Sequence, residues 1–258
     1  MKQIPSYNAL IEKSIIDHWD MDALTDYKGQ TLQFHDVARK IEKVHILFEN
    51  SGIQRGDKIA LCGRNSSQWT VAFLATITYG AVAVPILHEF TADQVHNIVN
   101  HSDARLLFAG DHICGSIDPN AMPHLEGIVR SSDYSLMVSR TEKLTYAREH
   151  LNELYGKKFP KYFRKEHIHY YHEQDPDELA LINYTSGTTG FSKGVMIPYR
   201  ALWSNYDFAA LAMGSELRPG SSVISILPMA HMYSMAFEFS YEFITGCHVY
   251  YLNRVPSP

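Results

Sequence analysis

Residues 69–87, WTVAFLATITYGAVAVPIL, carry no charged side chain and approach the length of a membrane span. A stretch this apolar has to be buried, either in lipid or in protein. Gly80 and Pro85 divide it, and β-branched residues crowd into its second half, which reads as a buried helix ending at Gly80 followed by a buried strand rather than as a membrane span.

The flanking residues extend that pattern. KIALC (Lys58 to Cys62) has the length and composition of a strand, Ser66 to Tyr79 has helical period, and AVAVPI (Ala81 to Ile86) is strand-like again. Thr91 is a suitable N-cap for a helix that puts Val95, Ile98 and Val99 on one face, and ARLLFAG (Ala104 to Gly110) supplies the next strand. The rhythm returns in LALINY (Leu179 to Tyr184), GVMIP, a helix from about Tyr199 to Met213, SVISILP, a helix near Met232 to Thr245, and HVYYLN (His248 to Asn253). Such alternation predicts an α/β fold of mostly parallel sheet with helices on both faces, whose ligands collect at the carboxyl ends of the strands. At 258 residues the chain suits one large domain or two entwined subdomains.

Between the two series, Ser139 to Glu178 is rich in charge and aromatics and weak in strand signal, which suggests a surface insertion. Its YGKKFPKYFRKEH run interleaves Lys157, Lys158, Lys161, Arg164 and Lys165 with Tyr155, Phe159, Tyr162 and Phe163. The simpler reading is a solvated helix and loop with aromatic anchors; the alternative is peripheral contact with an acidic lipid surface. His167, His169 and His172 with Glu173 read as surface residues, so no metal site is expected within the chain.

A net charge of −5 excludes broad nucleic-acid binding, which needs a basic surface. Cys62, Cys114 and Cys247 are odd in number and form no CxxC pair, as expected of free thiols in a reducing compartment. The N-terminus has no uninterrupted apolar core of a signal peptide, so the expected location is cytoplasmic.

The sharpest chemical signal is YTSGTTGFSKG, Tyr184 to Gly194. Glycines let backbone N–H groups turn toward one centre, hydroxyls add uncharged donors, and Lys193 adds a cation, so Ser186 to Lys193 suits phosphate oxygens. A plain polar hairpin loop is the competing reading. The Walker A pattern fails, because counting from Gly187 puts Ser192 where its second glycine should be and Gly194, after Lys193, where its Mg²⁺-binding hydroxyl should be; GxGxxG is also absent.

This stretch resembles the phosphate loop of the adenylate-forming (AMP-binding) superfamily, which includes acyl-CoA synthetases, luciferases and peptide-synthetase adenylation domains. GIQRGDKIALCGRNSSQWTVAFLATITYGAVAVPI is similar to that family's opening block, and ILPMAHMYSMAFEF (Ile226 to Phe239) to the block bordering its acyl pocket. The match covers about residue 25 to the end and is most like long-chain fatty-acid–CoA ligases. It implies a layered αβαβα arrangement, with about 50–184 as a first α/β subdomain carrying the charged insertion near 139–178, and about 194–258 as the start of a second. Thr185, Ser186, Gly187, Thr188, Thr189 and Gly190 would cradle the ATP phosphates, Lys193 would neutralise charge, and His231 would border the carboxylate and the α-phosphate. Ser192 departs from the family's proline, which implies a looser loop.

The resemblance implies ATP, Mg²⁺ and coenzyme A as partners of a carboxylic, and from the apolar Met229–Phe243 region fatty, acid. Acyl-AMP would form first, followed by the thioester. The family's Tyr-Gly-x-Thr-Glu segment, ribose-binding aspartate and C-terminal lysine domain do not occur here, so the expectation is an N-terminal piece, inactive alone and lacking the C-terminal part. A non-catalytic anion-binding module and an amino-acid or aryl-acid adenylating enzyme are the alternatives. Replacing Gly187 or Gly190 by valine is expected to abolish ATP binding in calorimetric titration while leaving the core folded, since each adds bulk where backbone must approach phosphate; unchanged affinity in both variants contradicts the cradle.

Overall fold

The uncharged stretch parts at Gly80, whose φ of +86° is open to glycine at little cost and ends the helix before it. A computed structural model describes residues 4–185 and 193–252. Its elements begin with α1 (Tyr7–Asp17), β1 (Asp22–Asp26), β2 (Thr31–Gln33), α2 (Phe34–Ser51), β3 (Lys58–Cys62), α3 (Ser67–Tyr79) and β4 (Val82–Ile86). Next come α4 (Ala92–Ser102), β5 (Ala104–Ala109), the short α5 (Asp111–Cys114), β6 (Gly127–Arg130), β7 (Leu136–Ser139), α6 (Glu142–Glu149) and α7 (Leu151–Lys158). The series closes with β8 (Leu179–Thr185), β9 (Lys193–Pro198), α8 (Tyr199–Met213), β10 (Ser222–Ser225), α9 (Met232–Met235), α10 (Tyr241–Thr245) and β11 (His248–Tyr251), α9 and α10 being joined by a π-helical turn.

Seven strands form one sheet in the order β7-β6-β5-β3-β4-β8-β9, parallel except at its two edges. Both faces are covered, and the strand residues alternate between them. Ile59 and Leu61 of β3, with Leu106 and Phe108 of β5, join a core shared with α2 and α3. Ala60, Cys62, Leu107 and Ala109 face a second core with Val95, Ile98 and Val99 of α4. This is the mostly parallel, two-faced α/β fold expected from the sequence, including the Thr91 cap, whose hydroxyl accepts from the Gln94 backbone N–H.

A four-stranded sheet, β10-β11-β1-β2, lies across α3, which touches β1 of this sheet and β3 and β4 of the larger one. That position explains why α3 lacks a polar face: the residues from Trp69 to Thr78 are all buried. None of the described helices is long and apolar enough to cross a membrane.

Two expectations need correction. The sheets do not part near residue 194, because β9 pairs with β8 along the edge of the large sheet and the small sheet takes its C-terminal strands only from β10 onward. Its other two strands, β1 and β2, come from residues 22–33. The 139–178 segment is more than a surface insertion: Leu144, Ala147, Leu151, Ile168 and Tyr170 are buried in the main core, together with Phe159 and Phe163, which act as the aromatic anchors expected of the basic run. Glu173 is also buried, and it caps α1 by accepting from the Ser6 hydroxyl at 2.7 Å and from the backbone N–H groups of Tyr7 and Asn8.

Glu242 of α10 is 1% exposed and its Oε2 meets no donor among the described residues. Burial pushes its carboxyl up to about 7 from an ordinary 4.5, with Glu238 adding repulsion. The folded chain therefore keeps a proton that the unfolded chain releases, and this group's contribution to stability falls as pH rises from about 4.5 to 7. Glu242→Gln is expected to stabilise the fold at pH 8 by about 2–3 kcal/mol and to change little at pH 4.5, measured by urea denaturation at both pH values.

Candidate functional site

The carboxyl edge of the large sheet carries the residues singled out by the phosphate-loop motif. β8 and β9 form a hairpin registered as Asn183↔Val195, Tyr184↔Gly194 and Thr185↔Lys193, so Thr185 and Lys193 stand opposite each other where the strands meet the residues that connect them, both exposed. Ser186, Gly187, Thr188, Thr189 and Gly190 lie outside the described residues. Lys193 makes no ion pair with any described residue, which leaves its charge uncompensated there.

Gly194 is explained by packing. A Cβ at this position would lie 3.0 Å from both the Tyr184 ring and Ile182 Cγ2, while the Tyr184 hydroxyl is fixed 2.7 Å from His101 Nδ1. The residue that rules out a Walker A loop is therefore one that lets Tyr184 lie across the base of the hairpin.

His231 reaches the same edge through β8. Asn183 Nδ2 donates to the Ala230 carbonyl at 2.8 Å, which ties the residue before His231 to a strand position two short of Thr185. His231 is exposed and caps α9, where its Nδ1 accepts from the Tyr233 backbone N–H at 3.3 Å. An accepting Nδ1 places the proton of the neutral ring on Nε2, which leaves a donor pointing away from the helix. Of the residues expected at the site, Thr185 and Lys193 thus face each other, and His231 follows a residue bonded to the same strand.

The segment leading to His231 is held by side chains that the sequence did not single out. Glu238 Oε2 accepts from the backbone N–H groups of Ile226 at 2.8 Å and Leu227 at 2.9 Å. Asn65 Nδ2 donates to the Leu227 carbonyl at 2.7 Å and to Ser225 Oγ at 3.2 Å, and its Oδ1 accepts from Met229 N–H at 2.8 Å. Each carried a weak signal: Asn183 is an amide in the apolar run LALINY, and Glu238 is the one acid of MYSMAFEF.

Asn65 also lines a cleft of about 670 Å³ at the carboxyl ends of β3, β5 and β6, together with Gly63, Ser66, Gly110, Asp111 and Ser131. Its floor is backbone, because a Cβ on Gly110 would stand 3.1 Å from Gly63 Cα. Among the described residues no three His, Cys, Asp or Glu side chains converge on a metal position.

Comparison with known proteins places this edge in context. Residues 11–258 match the family model described as AMP-binding enzyme. A long-chain-fatty-acid–CoA ligase of Escherichia coli O6:H1 is 24% identical over 249 residues, covering 88% of this chain and 42% of that protein. The probable acyl-activating enzyme 16, chloroplastic, of Arabidopsis thaliana is 28% identical, covering 92% and 35%. Among solved structures, a red-emitting luciferase from Phrixothrix hirtus superposes with a TM-score of 0.82 at 16% identity, over 99% of this chain and 48% of that one. A long-chain-fatty-acid-CoA ligase from Archaeoglobus fulgidus gives 0.76 at 18%, over 98% and 48%. The chain spans less than half the length of these proteins, and it belongs to the AMP-binding enzyme family.

Proposed function

We propose that the protein carrying this chain activates a carboxylic acid, in particular a fatty acid, with ATP and then passes the acyl group to coenzyme A. A carboxylate is a poor acyl donor because its leaving group would be oxide, and attaching AMP supplies a stable phosphate leaving group instead. The observation that carries the reading is the Asn183 to Ala230 bond, which brings His231 to the hairpin in which Thr185 and Lys193 face each other. The names of the relatives support the choice of acid and of thiol.

In this reading Thr185 and Lys193, with Ser186, Gly187, Thr188, Thr189 and Gly190, hold the phosphates. Lys193 offsets their charge, and the Nε2 proton of His231 serves the oxygen shared by substrate carboxylate and α-phosphate. Mg²⁺ would arrive on the triphosphate and neutralise part of it when bound. The 670 Å³ cleft on the same edge has room for a further organic group. The free thiols Cys62, Cys114 and Cys247 suit a reducing compartment such as the cytoplasm. Peripheral membrane contact has thinner support, since Phe159 and Phe163 are buried and Tyr162, with Arg164 stacked 4.2 Å over its ring, is the member of that aromatic set left well exposed.

Isotope exchange between pyrophosphate and ATP by the full-length protein tests the proposal. Exchange is expected with long-chain fatty acids and not with amino acids; no exchange with any carboxylic acid overturns it. Asn183→Ala, which frees the Ala230 carbonyl, is expected to reduce exchange about tenfold while costing only about 1 kcal/mol of stability. A loss of exchange that merely tracks unfolding would deny the tether its positioning role.

A further inference from the structure

Helix α2 carries a cluster of lysines, Lys40 and Lys43, that are not paired with a carboxylate and that the phosphate loop does not explain. Lys40 and Lys43 sit three positions apart, where side chains on one helix face are neighbours and like charges repel. Between α2, the β6–β7 turn and the α6–α7 pair lies a hollow of about 190 Å³, with Lys40, Lys43 and Arg148 around it and Val44, Leu47 and Leu151 as apolar lining. A second hollow of about 440 Å³ runs along the helix toward Arg39 and Tyr155 and shares Lys40 and Lys43 with the first.

The carboxylates of both hollows are already engaged. Asp36 accepts from Arg39 at 2.9 Å and from the Gln33 backbone N–H at 3.1 Å, and Asp133 accepts from the Ser135 N–H at 2.9 Å and its hydroxyl at 2.7 Å. Lys43 donates only to the neutral Asn152 Oδ1, at 3.1 Å, and lies over the Tyr155 ring. Lys40 makes no hydrogen bond or ion pair among the described residues, and burial, reinforced by Lys43 and only partly opposed by Asp36 and Asp26, holds its amine below the usual lysine range. Nearby lysines differ: Lys158 is paired with Glu42 at 2.7 Å, and Lys157 with Glu153 at 2.5 Å. Neither ammonium is paired with a carboxylate, although Asp36 and Asp133 line the hollows, so two half-buried cations held this close favour an added anion between them. Arg148 spends its Nε on the Tyr134 carbonyl, which leaves its terminal guanidinium nitrogens, beside the two ammonium point charges, for the oxygens of a phosphate.

We infer that the twin hollow along α2 binds a phosphate-bearing small molecule or headgroup, with Lys40, Lys43 and Arg148 holding the phosphate and Val44, Leu47 and Leu151 meeting its organic part. Titration calorimetry of the 258-residue chain with inorganic phosphate and with glycerol 3-phosphate tests this. Saturable binding is expected, at least tenfold weaker in Lys40→Ala/Lys43→Ala, and retained in Lys40→Arg/Lys43→Arg, in Lys157→Ala/Lys161→Ala and in Lys193→Ala. Binding that survives Lys40→Ala/Lys43→Ala but disappears in Lys193→Ala belongs to the loop after β8 and overturns the inference, as does the absence of saturable binding. Circular dichroism melting establishes that each variant is folded. Sedimentation with phosphatidylcholine vesicles containing phosphatidic acid separates the sources: co-sedimentation lost in Lys40→Ala/Lys43→Ala supports a lipid headgroup, and calorimetric binding without co-sedimentation supports a free phosphate compound.

Discussion

One carboxylate oxygen governs the shape of the segment on which the site depends. Where β10 stops, the chain leaves the sheet and its backbone N–H groups lose their ladder partners; Glu238 Oε2 takes two of them, at Ile226 and Leu227. Asn65 then fixes the carbonyl of Leu227 and the N–H of Met229. Hydrogen bonds to a charged acceptor contribute about 1.5–3 kcal/mol each, more than neutral ones. A loop that would otherwise be free to move thereby becomes a rigid support for His231.

The same economy of partners recurs at the hairpin. Asn183 spends its amide on Ala230 instead of on solvent, and Gly194 gives up a side chain so that Tyr184 can cross beneath it and meet His101. Positioning at this edge is done by short polar side chains on rigid strands and by the absence of bulk. The cation expected to meet phosphate, Lys193, is accordingly left at the tip, exposed and without an ion pair to any described residue.

Much of this was legible in the sequence because burial in a parallel sheet leaves a strong local record. KIALC, the 66–79 helix, the Thr91 cap, LALINY and the 199–213 helix all fall where apolar periodicity and capping chemistry place them. What was illegible had no local record. β1 and β2, DALTD and TLQ, are too short and too polar to show a period, and they are strands because β11 pairs with β1. The charge of residues 139–178 masked an apolar face that docks on α2, and the reach of Asn65 to Leu227 is a contact between distant segments that no spacing rule anticipates. The Thr185, Lys193 and His231 assignments rested on motif register; their shared location at one sheet edge became visible only in three dimensions.

The small sheet has a consequence for biosynthesis. Leu24 of β1 pairs with Val249 of β11, about 225 residues later, so a ribosome adding roughly 5–20 residues per second leaves the first strand unpaired on that side for about ten to forty-five seconds. During that interval β1 and β2 form a two-stranded ribbon, a unit of marginal stability in water. The seam between β1 and β11 thus forms only after residue 251 has been made, and a pause or chaperone acting before it emerges would hold the nascent polypeptide with all seven strands of the large sheet synthesised and its first two strands waiting.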